Sequence, residues 1–396
     1  MTEDNYNTCQ EREYKHHKQN DNYQEFNFNF FTSQDNQQIR WGGMRAAREC
    51  SKSEIFKTDI DLNGINTTSN KSEGIIFDSD ETKTNRAQGI VLLLNGRTEF
   101  MEKYTQVASR LALIGYHVMS LDWRGQGLSV RELPNRDKGY VKNFNLYVKD
   151  LEIFYNLHVL PLSKSLNLPI TILAHSMGGH IALRFLSECS NCSSNSNRIS
   201  SHTALNHTDS NSISINIDTN IKKAILISPM IDIITSPIKG NFVGILADWA
   251  TRQLACLAVK AKFEAHYVPN GKDYCREDVK FEGNVLTHDW DNFWLEHREI
   301  AKNRNLALGG VTWGWLKAAF DSIELLKDEK YLSRIKTPVS IFSAEQDRVV
   351  SNSAQKSVCQ TITKGKLISI PKARHEILFE TEEIREVLWK DISLEI

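Results

Sequence analysis

The chain has 396 residues, 40% of them hydrophobic, so it can bury a large core and divide into two or three structural units. Its 48 lysines and arginines are matched by 49 acidic residues, and this balance argues against nucleic acid as a partner. Seven cysteines, odd in number and scattered, favour a reducing compartment over a disulfide framework. No apolar stretch reaches the roughly 18 residues of a membrane helix and the N-terminus lacks a signal-peptide core, so we expect a cytoplasmic protein.

Two stretches of the chain are dominated by polar residues. Residues 1–88 form an N-terminal region in which 51–88 is rich in Asn, Ser, Thr and Asp, and 190–220 is denser still in Ser and Asn. Both have little to bury, so we expect flexible loops or insertions there. Cys189 and Cys192 form a C-x-x-C beside the second stretch, but without a second such pair a redox or metal function is the weaker interpretation.

Short apolar runs alternate with amphipathic stretches through the rest of the chain. Strands buried on both faces are predicted at 89–94, 117–121, 170–173, 224–227, 339–342 and 367–370. Helices are predicted at 102–114, 146–160, 178–188, 353–363 and 382–392. This alternation predicts an α/β fold with a doubly wound, mostly parallel sheet, built from residues 89–230 and 316–396.

A helical segment interrupts the alternation at 231–315. It shows no strand pattern, and Pro269, Asn270 and Gly271 break it. We expect a helical cap inserted on the sheet, with an apolar channel for an acyl chain. Peripheral contact of this cap with the inner face of a membrane stays open. Tryptophan is frequent in the helical patterns from this segment into the next helix: Trp249, Trp290, Trp294, Trp313 and Trp315.

A serine lies where a predicted strand meets an apolar helix. The run ITIL at 170–173 leads into AHSMGG at 174–179, and the helical pattern resumes at once. This is the form of a nucleophile elbow, a sharp turn that projects a serine hydroxyl above the sheet and needs small neighbours. A helix N-cap serine occupies the same kind of junction, so Ser176 alone leaves both interpretations open.

An acid and a histidine follow the last two predicted strands, in the chain order that this architecture requires. Asp347 comes after the first of these strands and His375 after the second. Because the carboxyl ends of parallel strands meet at one edge of the sheet, we predict a catalytic triad of Ser176, Asp347 and His375. Asp347 would fix the imidazole, and His375 would take the serine proton and return it to the leaving group.

Other acids and histidines are weaker candidates for these roles. Glu345 competes with Asp347 but lies closer to the strand, as a loop carboxylate commonly does. His175 precedes the nucleophile and is expected to pack or bond locally. The remaining histidines considered lie in polar tracts: His16, His17, His202 and His207.

The oxyanion of an acyl-transfer reaction requires backbone donors. We predict the N–H of Met177, at the start of a helix, and the N–H of Arg97, where Gly96 allows a close approach. The Arg97 side chain could be an ordinary surface cation, and the proposed main-chain donor does not depend on it. The G-x-G within 123–129 lacks the third glycine and the lysine of a phosphate loop and indicates a turn after a strand.

Four motifs together resemble the α/β-hydrolases of the monoacylglycerol lipase and bacterial lysophospholipase L2 type, in the serine aminopeptidase S33 or hydrolase-4 group. They are NGRTE at 95–99, LDWRGQGLS at 121–129, AHSMGG at 174–179 and ARHEILFE at 373–380. Asn95 stands where many relatives have His, and Ala174 stands where the general motif has Gly. The resemblance implies the same triad of Ser176, Asp347 and His375 and the same oxyanion donors, Arg97 and Met177.

The expected function is hydrolysis of a lipid carboxylic ester, a lysophospholipid or a monoacylglycerol, through an acyl-serine intermediate. We expect a small-molecule lipid substrate, no cofactor and no metal, since no cluster with ligand spacing follows the strands. Two alternatives keep the fold: a non-lipid esterase or peptidase, and a catalytically inactive binding protein. The intact triad argues against the last of these.

Overall fold

The protein is described by a computed structural model over residues 26–47, 87–192, 220–235 and 242–396. The predicted flexible tract at 51–88, apart from its last two residues, and most of the Ser/Asn-rich stretch lie outside these ranges. So does the side chain of Cys192, which leaves the C-x-x-C interpretation untested.

Eight strands form one sheet. Two antiparallel strands, β1 and β2, pair at one edge, and six parallel strands follow in the order β4-β3-β5-β6-β7-β8. The six parallel strands lie where the apolar runs predict them, but the prediction of burial on both faces is wrong for the last one, Gly365–Ile370, which is an edge strand and largely exposed. The strands are β1 Asn27–Thr32, β2 Gln38–Met44, β3 Gly89–Leu94, β4 Tyr116–Leu121, β5 Ile170–His175, β6 Ile221–Ile227, β7 Val339–Ala344 and β8 Gly365–Ile370.

Helices cover both faces of this sheet, as the doubly wound pattern predicts. On one face α1 and α10 pack on the sheet, so that Leu111 shares a core with Val91 of β3. On the other face α2, α4 and α9 pack, and Ile181 shares a core with the next residue of β3, Leu92. The helices are α1 Thr105–Leu113, α2 Asn145–Phe154, α3 Leu160–Leu166, α4 Met177–Cys192, α5 Phe242–Lys260, α6 Trp290–Lys302, α7 Trp313–Leu325, α8 Glu329–Leu332, α9 Asn352–Thr361 and α10 Glu382–Glu395.

The segment between β6 and α7 contains α5, α6 and two short 3-10 helices, Arg276–Asp278 and Arg304–Leu306. Helix α5 packs on α7, where Ala255 lies in a small apolar cluster with Phe320. None of the helices in the described ranges combines the length and apolar character needed to cross a bilayer. Helices account for part of the segment only, since 261–289 is mostly turns and irregular backbone, and its role as a cap stays a prediction.

Strands β1 and β2 add to the sheet before residue 89, where the sequence predicts that the α/β core begins. The pattern of β1, NFNFFT, alternates polar and aromatic residues as an edge strand does. In β2 the pattern is broken by Gly42, Gly43 and Arg40, and the Arg40 charge is buried only because Glu102 and Asp122 pair with it. Arg40 breaks the apolar pattern of β2, and the carboxylates that allow its burial lie far away in the sequence. The hydrophobic pattern alone therefore does not predict this strand.

A buried arginine ties this hairpin to the sheet. The Arg124 side chain is 1% exposed and forms two hydrogen bonds to Asp150 of α2, at 2.6 and 2.8 Å. It also donates to Asp35, in the turn between β1 and β2, at 2.8 and 2.9 Å. Burial raises the pKa of Asp150 to about 6 in spite of the Arg124 charge.

We expect Asp150→Ala to lower the free energy of unfolding by about 3 kcal/mol, because it leaves the Arg124 cation buried with half of its partners removed. Asp35→Ala removes a carboxylate that is 43% exposed, and should cost about 1 kcal/mol or less. Urea denaturation of both variants measures the difference. Equal losses would contradict the assignment of Asp150 as the principal partner.

Candidate active site

Ser176 lies in a strained turn between β5 and α4. Its φ is +48°, in the left-handed region that side chains other than glycine rarely adopt. The turn is held by hydrogen bonds from the Ser176 N–H to the Ile227 carbonyl at 3.0 Å and from the Met230 N–H to the Ser176 carbonyl at 2.9 Å. A Cβ at Gly178 would lie 2.5 Å from the Leu94 carbonyl oxygen, which explains the small residue that the motif requires there.

The structure brings Ser176, His375 and Asp347 into one hydrogen-bonded chain. The Ser176 Oγ lies 2.9 Å from His375 Nε2, and His375 Nδ1 lies 2.8 Å from Asp347 Oδ2. All three residues are buried. With Nδ1–H donating to the carboxylate, Nε2 is the acceptor for the serine hydroxyl, which is the protonation state that a general base needs.

The competing acid has a different partner. The Glu345 carboxylate is exposed and accepts a hydrogen bond from the backbone N–H of Lys372 at 2.9 Å. Asp347 accepts from Val349 and Val350 as well as from His375. Burial alone would raise the pKa of Asp347, but the imidazole and these two N–H groups hold it below its usual value. Asp347 therefore stays ionised and can stabilise an imidazolium.

The loop after β3 runs against the elbow. A Cβ at Gly96 would lie 3.2 Å from Ser176 Cβ, so the backbone that carries the Arg97 N–H passes beside the nucleophile. Met177 is the first residue of α4, where backbone N–H groups have no intrahelical acceptor. The two predicted oxyanion donors thus belong to segments that adjoin Ser176.

Neighbouring side chains brace that loop. Asn95 donates from Nδ2 to the Leu121 carbonyl at 3.0 Å, and this buried contact gives its amide a structural role. Gln126, from the G-x-G turn, donates to the carbonyls of Gly96 at 2.7 Å and Glu99 at 2.9 Å. The turn predicted after β4 therefore supports the loop that carries the oxyanion donor.

A family model described as serine aminopeptidase S33 matches residues 85–216 and 210–382, well over half of the chain. The chain belongs to the serine aminopeptidase S33 family. This confirms the resemblance drawn from the four motifs, and the eight-stranded sheet confirms the α/β-hydrolase fold that the resemblance implies.

Relatives of this S33 chain include named lipid hydrolases. It is 27% identical to the probable lysophospholipase L2 of Haemophilus influenzae, over 77% of this chain and 82% of that protein. It is 28% identical to the lysophospholipase L2 of Escherichia coli, over 75% and 77%. A soluble variant of the Saccharomyces cerevisiae monoglyceride lipase, solved with a substrate analogue, superimposes with a TM-score of 0.62 at 18% identity, covering 94% of each chain.

The S33 site also contains a buried group of charges that the sequence analysis did not find. Lys103 Nζ bonds to Glu99 at 3.0 Å, Glu296 at 3.0 Å and Glu376 at 2.8 Å. Glu99 also accepts from the Gly96 N–H. Lys103 therefore joins the loop of Arg97, the loop of His375 and helix α6. The sequence signals were the positions of Glu99 and Glu376 within the NGRTE and ARHEILFE motifs.

His175 belongs to the same group. Its Nδ1 lies 3.0 Å from Glu99 Oε2, and its Nε2 lies 3.3 Å from the His375 carbonyl oxygen. Burial would lower the pKa of His175, but the Glu99 carboxylate outweighs burial and raises it. The local bonding role expected for His175 is what the geometry shows.

Burial raises the pKa of Glu296 to about 7, so the carboxyl of this member of the group titrates near neutrality. A carboxyl whose pKa is higher in the folded state than in the unfolded one favours folding while protonated, and this advantage is lost as the pH rises towards 7. We expect Glu296→Gln, which cannot ionise, to gain roughly 1 to 3 kcal/mol in stability relative to the wild type between pH 5 and pH 8.

Urea denaturation of both proteins at the two pH values measures this gain. Glu299→Gln is the matched control, since Glu299 lies on the same helix but pairs at the surface with Lys302. A stability difference for Glu296→Gln that does not change with pH would show that its carboxyl is not held in an unfavourable environment.

Proposed function

We propose that this protein is a serine hydrolase that cleaves carboxylic esters of lipids through an acyl-Ser176 intermediate. The observation that carries the proposal is the continuous hydrogen-bonded chain from Ser176 through His375 to Asp347 at the carboxyl edge of the sheet. The names of the lysophospholipase and monoglyceride lipase relatives support an ester of a lipid rather than another acyl compound.

The reaction follows from the positions of the three side chains. The Ser176 Oγ attacks the ester carbonyl carbon while its proton moves to His375 Nε2, and the N–H groups of Arg97 and Met177 stabilise the oxyanion. Collapse of this intermediate expels the alcohol, which takes the proton from His375. Water, deprotonated by His375, then attacks the acyl-serine, and the acid and the free enzyme are released.

The segment 231–315 acts as the cap in this proposal. Its helices supply apolar side chains for an acyl chain, and a helix of the segment, α6, is tied to the oxyanion loop by the bond between Glu296 and Lys103. The alternative, a peptidase or a non-lipid esterase, keeps the triad but has no use for an apolar acyl channel.

The test is a set of aryl esters graded by acyl-chain length, run beside lysophosphatidylcholine and a monoacylglycerol. We expect hydrolysis that increases with chain length, and covalent labelling by a fluorophosphonate probe that is lost in Ser176→Ala. Labelling that persists in Ser176→Ala would place the nucleophile elsewhere, and inactivity on every ester would favour the peptidase or a non-catalytic protein.

A matched pair of acid variants belongs to the same experiment. Asp347→Asn should lower kcat by about 10³- to 10⁴-fold, since the imidazole loses its orienting carboxylate. Glu345→Gln removes a neighbouring exposed carboxylate and should leave kcat within about twofold of the wild type.

We also propose that helix α5 contacts the surface of a phospholipid membrane at its cytoplasmic face. Four side chains of α5 are at least half exposed: Leu246, Trp249, Leu254 and Leu257. The polar residues Asp248 and Arg252 instead pair with each other at 2.9 Å, and Arg252 reaches Asp232 on the inner side at 2.7 Å. A helix with its apolar face outward and lysines at its end, Lys260 and Lys262, suits an anionic lipid surface.

We expect Trp249→Ser with Leu257→Ser to reduce sedimentation with phosphatidylglycerol-containing vesicles by at least tenfold, because each buried apolar side chain contributes about 1 to 2 kcal/mol. Leu394→Ser, which removes an exposed leucine at the end of α10, is the control. Equal vesicle binding by the wild type and both variants would refute the α5 contact without bearing on the esterase chemistry.

A further inference from the structure

The Arg97 guanidinium lies inside the protein without a carboxylate to neutralise it. Among the described residues its only hydrogen bond runs from Nη2 to the Gly309 carbonyl at 3.1 Å, and its Nε–H finds no acceptor. It packs 5.0 Å from the Trp315 ring, and Gly139 leaves the space that Nη2 occupies, since a Cβ there would be 2.9 Å away. The alternative interpretation of the Arg97 side chain as an ordinary surface cation does not fit this partly buried position.

Two further arginines lie near the same segment. Arg131 donates to four backbone carbonyls, those of Gly125, Gly127 at 2.9 Å, Asn305 at 3.3 Å and Ala307 at 3.4 Å, and Arg136 donates to that of Asn305 at 3.2 Å. Within the described ranges neither pairs with a carboxylate, and the Nε–H of each lacks an acceptor. By contrast, neighbouring Arg304 forms a two-point ion pair with Asp137, at 2.9 and 2.5 Å.

A buried cation without an anion is costly to the folded state, and proteins usually pair it. Burial lowers the pKa of Arg97 to about 10, which leaves it charged at neutral pH. Burial and the neighbouring Arg136 charge lower the pKa of Arg131 to about 10 as well. Arg97, with one carbonyl acceptor and no carboxylate among the described residues, is therefore the group that an anion from outside the chain would neutralise, and Arg131 and Arg136 add positive charge near residues 305–309.

The position of Arg97 in the reaction geometry indicates which anion this is. Its backbone N–H is a proposed donor to the oxyanion, and its guanidinium carbon is five bonds from its own Cα, or about 6 Å in an extended side chain. In a single-acyl glycerophospholipid the phosphorus is six bonds from the ester carbonyl carbon, or about 7 Å when extended. An ester bound at Ser176 would therefore carry its phosphate within reach of the Arg97 side chain.

We infer that Arg97 binds the phosphate of a single-acyl glycerophospholipid whose ester carbonyl lies at Ser176, with Arg131 and Arg136 adding positive potential. This inference rests on the proposed function and makes it specific. The enzyme selects lysophospholipids over monoacylglycerols of the same acyl chain, because the neutral glycerol group leaves the guanidinium without its anion.

The test compares kcat/KM for 1-oleoyl lysophosphatidylcholine and 1-monooleoylglycerol below their critical micelle concentrations, in the full chain. We expect the wild type to favour the lysophospholipid and Arg97→Gln to lower the ratio of the two kcat/KM values by about 10- to 100-fold, the range for a hydrogen bond to a charged group. Arg97→Lys should retain part of the ratio. The ratio should also fall as salt is added to the wild type.

Arg110→Gln is the matched control, because Arg110 is an exposed arginine that lies over the Trp389 ring on the opposite face of the sheet. It should leave the ratio unchanged. A wild-type ratio near one, or equal losses on both substrates in Arg97→Gln, would overturn the inference and assign Arg97 a structural role. Inhibition of both reactions by millimolar inorganic phosphate, without selectivity, would assign the guanidinium to free phosphate instead and also overturn it.

A binding measurement separates this inference from the proposed function. Ser176→Ala should bind a fluorescent lysophosphatidylcholine at least tenfold more tightly than Ser176→Ala combined with Arg97→Gln. If the wild type hydrolyses no ester at all, the proposed function fails and this binding difference still decides the role of Arg97. If Arg97→Gln unfolds, the double variant Arg131→Gln with Arg136→Gln is the second test. It removes the positive potential that these two side chains add, and should lower the same ratio of kcat/KM values by a smaller factor.

Discussion

The close approach of two backbones at the carboxyl edge of the sheet is the constraint on which the site depends. The helix that follows Ser176 begins against the carbonyl oxygens of Leu94 and Asn95, so a side chain at Gly178 has no room. Ser176 has its left-handed conformation beside this contact, and the loop of Arg97 lies next to it. Packing, together with the hydrogen bonds of the turn and those of Asn95 and Gln126, holds Ser176 and the proposed oxyanion donors in place before any substrate binds.

The buried charges around Lys103 hold the same elements from the other side. One ammonium satisfies three carboxylates that come from the oxyanion loop, the histidine loop and helix α6. Such a group contributes little net stability, because desolvation offsets most of the Coulomb attraction. The group instead restricts geometry. A carboxylate that moves away from Lys103 leaves a buried charge without a partner, so the two loops and helix α6 keep one arrangement.

The sequence was sufficient for the parts of the fold that depend on local pattern. Strands buried on both faces are continuous apolar runs, and the chain order Ser176, Asp347, His375 follows from which strand ends carry polar residues. Strand β2 was not predicted, since Arg40 enters the core only with partners more than 60 residues away. Glu296 was not associated with the site, because no pattern within α6 shows that it meets Lys103.

The surroundings of the Arg97 side chain could not be predicted for a related reason. A sequence shows that a residue carries a charge, but not whether a counter-charge lies beside it in the fold. Buried Arg124 is neutralised by Asp150 and exposed Arg304 by Asp137, whereas Arg97 is partly buried with no carboxylate partner among the described residues.

Among the described residues of this region, Arg97, Arg131 and Arg136 have no carboxylate partner, and Arg97 directly follows Gly96, which lies against Ser176. Pairing Arg97 internally would stabilise the free protein but would compete with an anionic substrate for the same donors. An unpaired guanidinium at this position instead lets the substrate supply the counter-charge. Part of the free energy of substrate binding then comes from pairing a charge whose burial is unfavourable in the empty site.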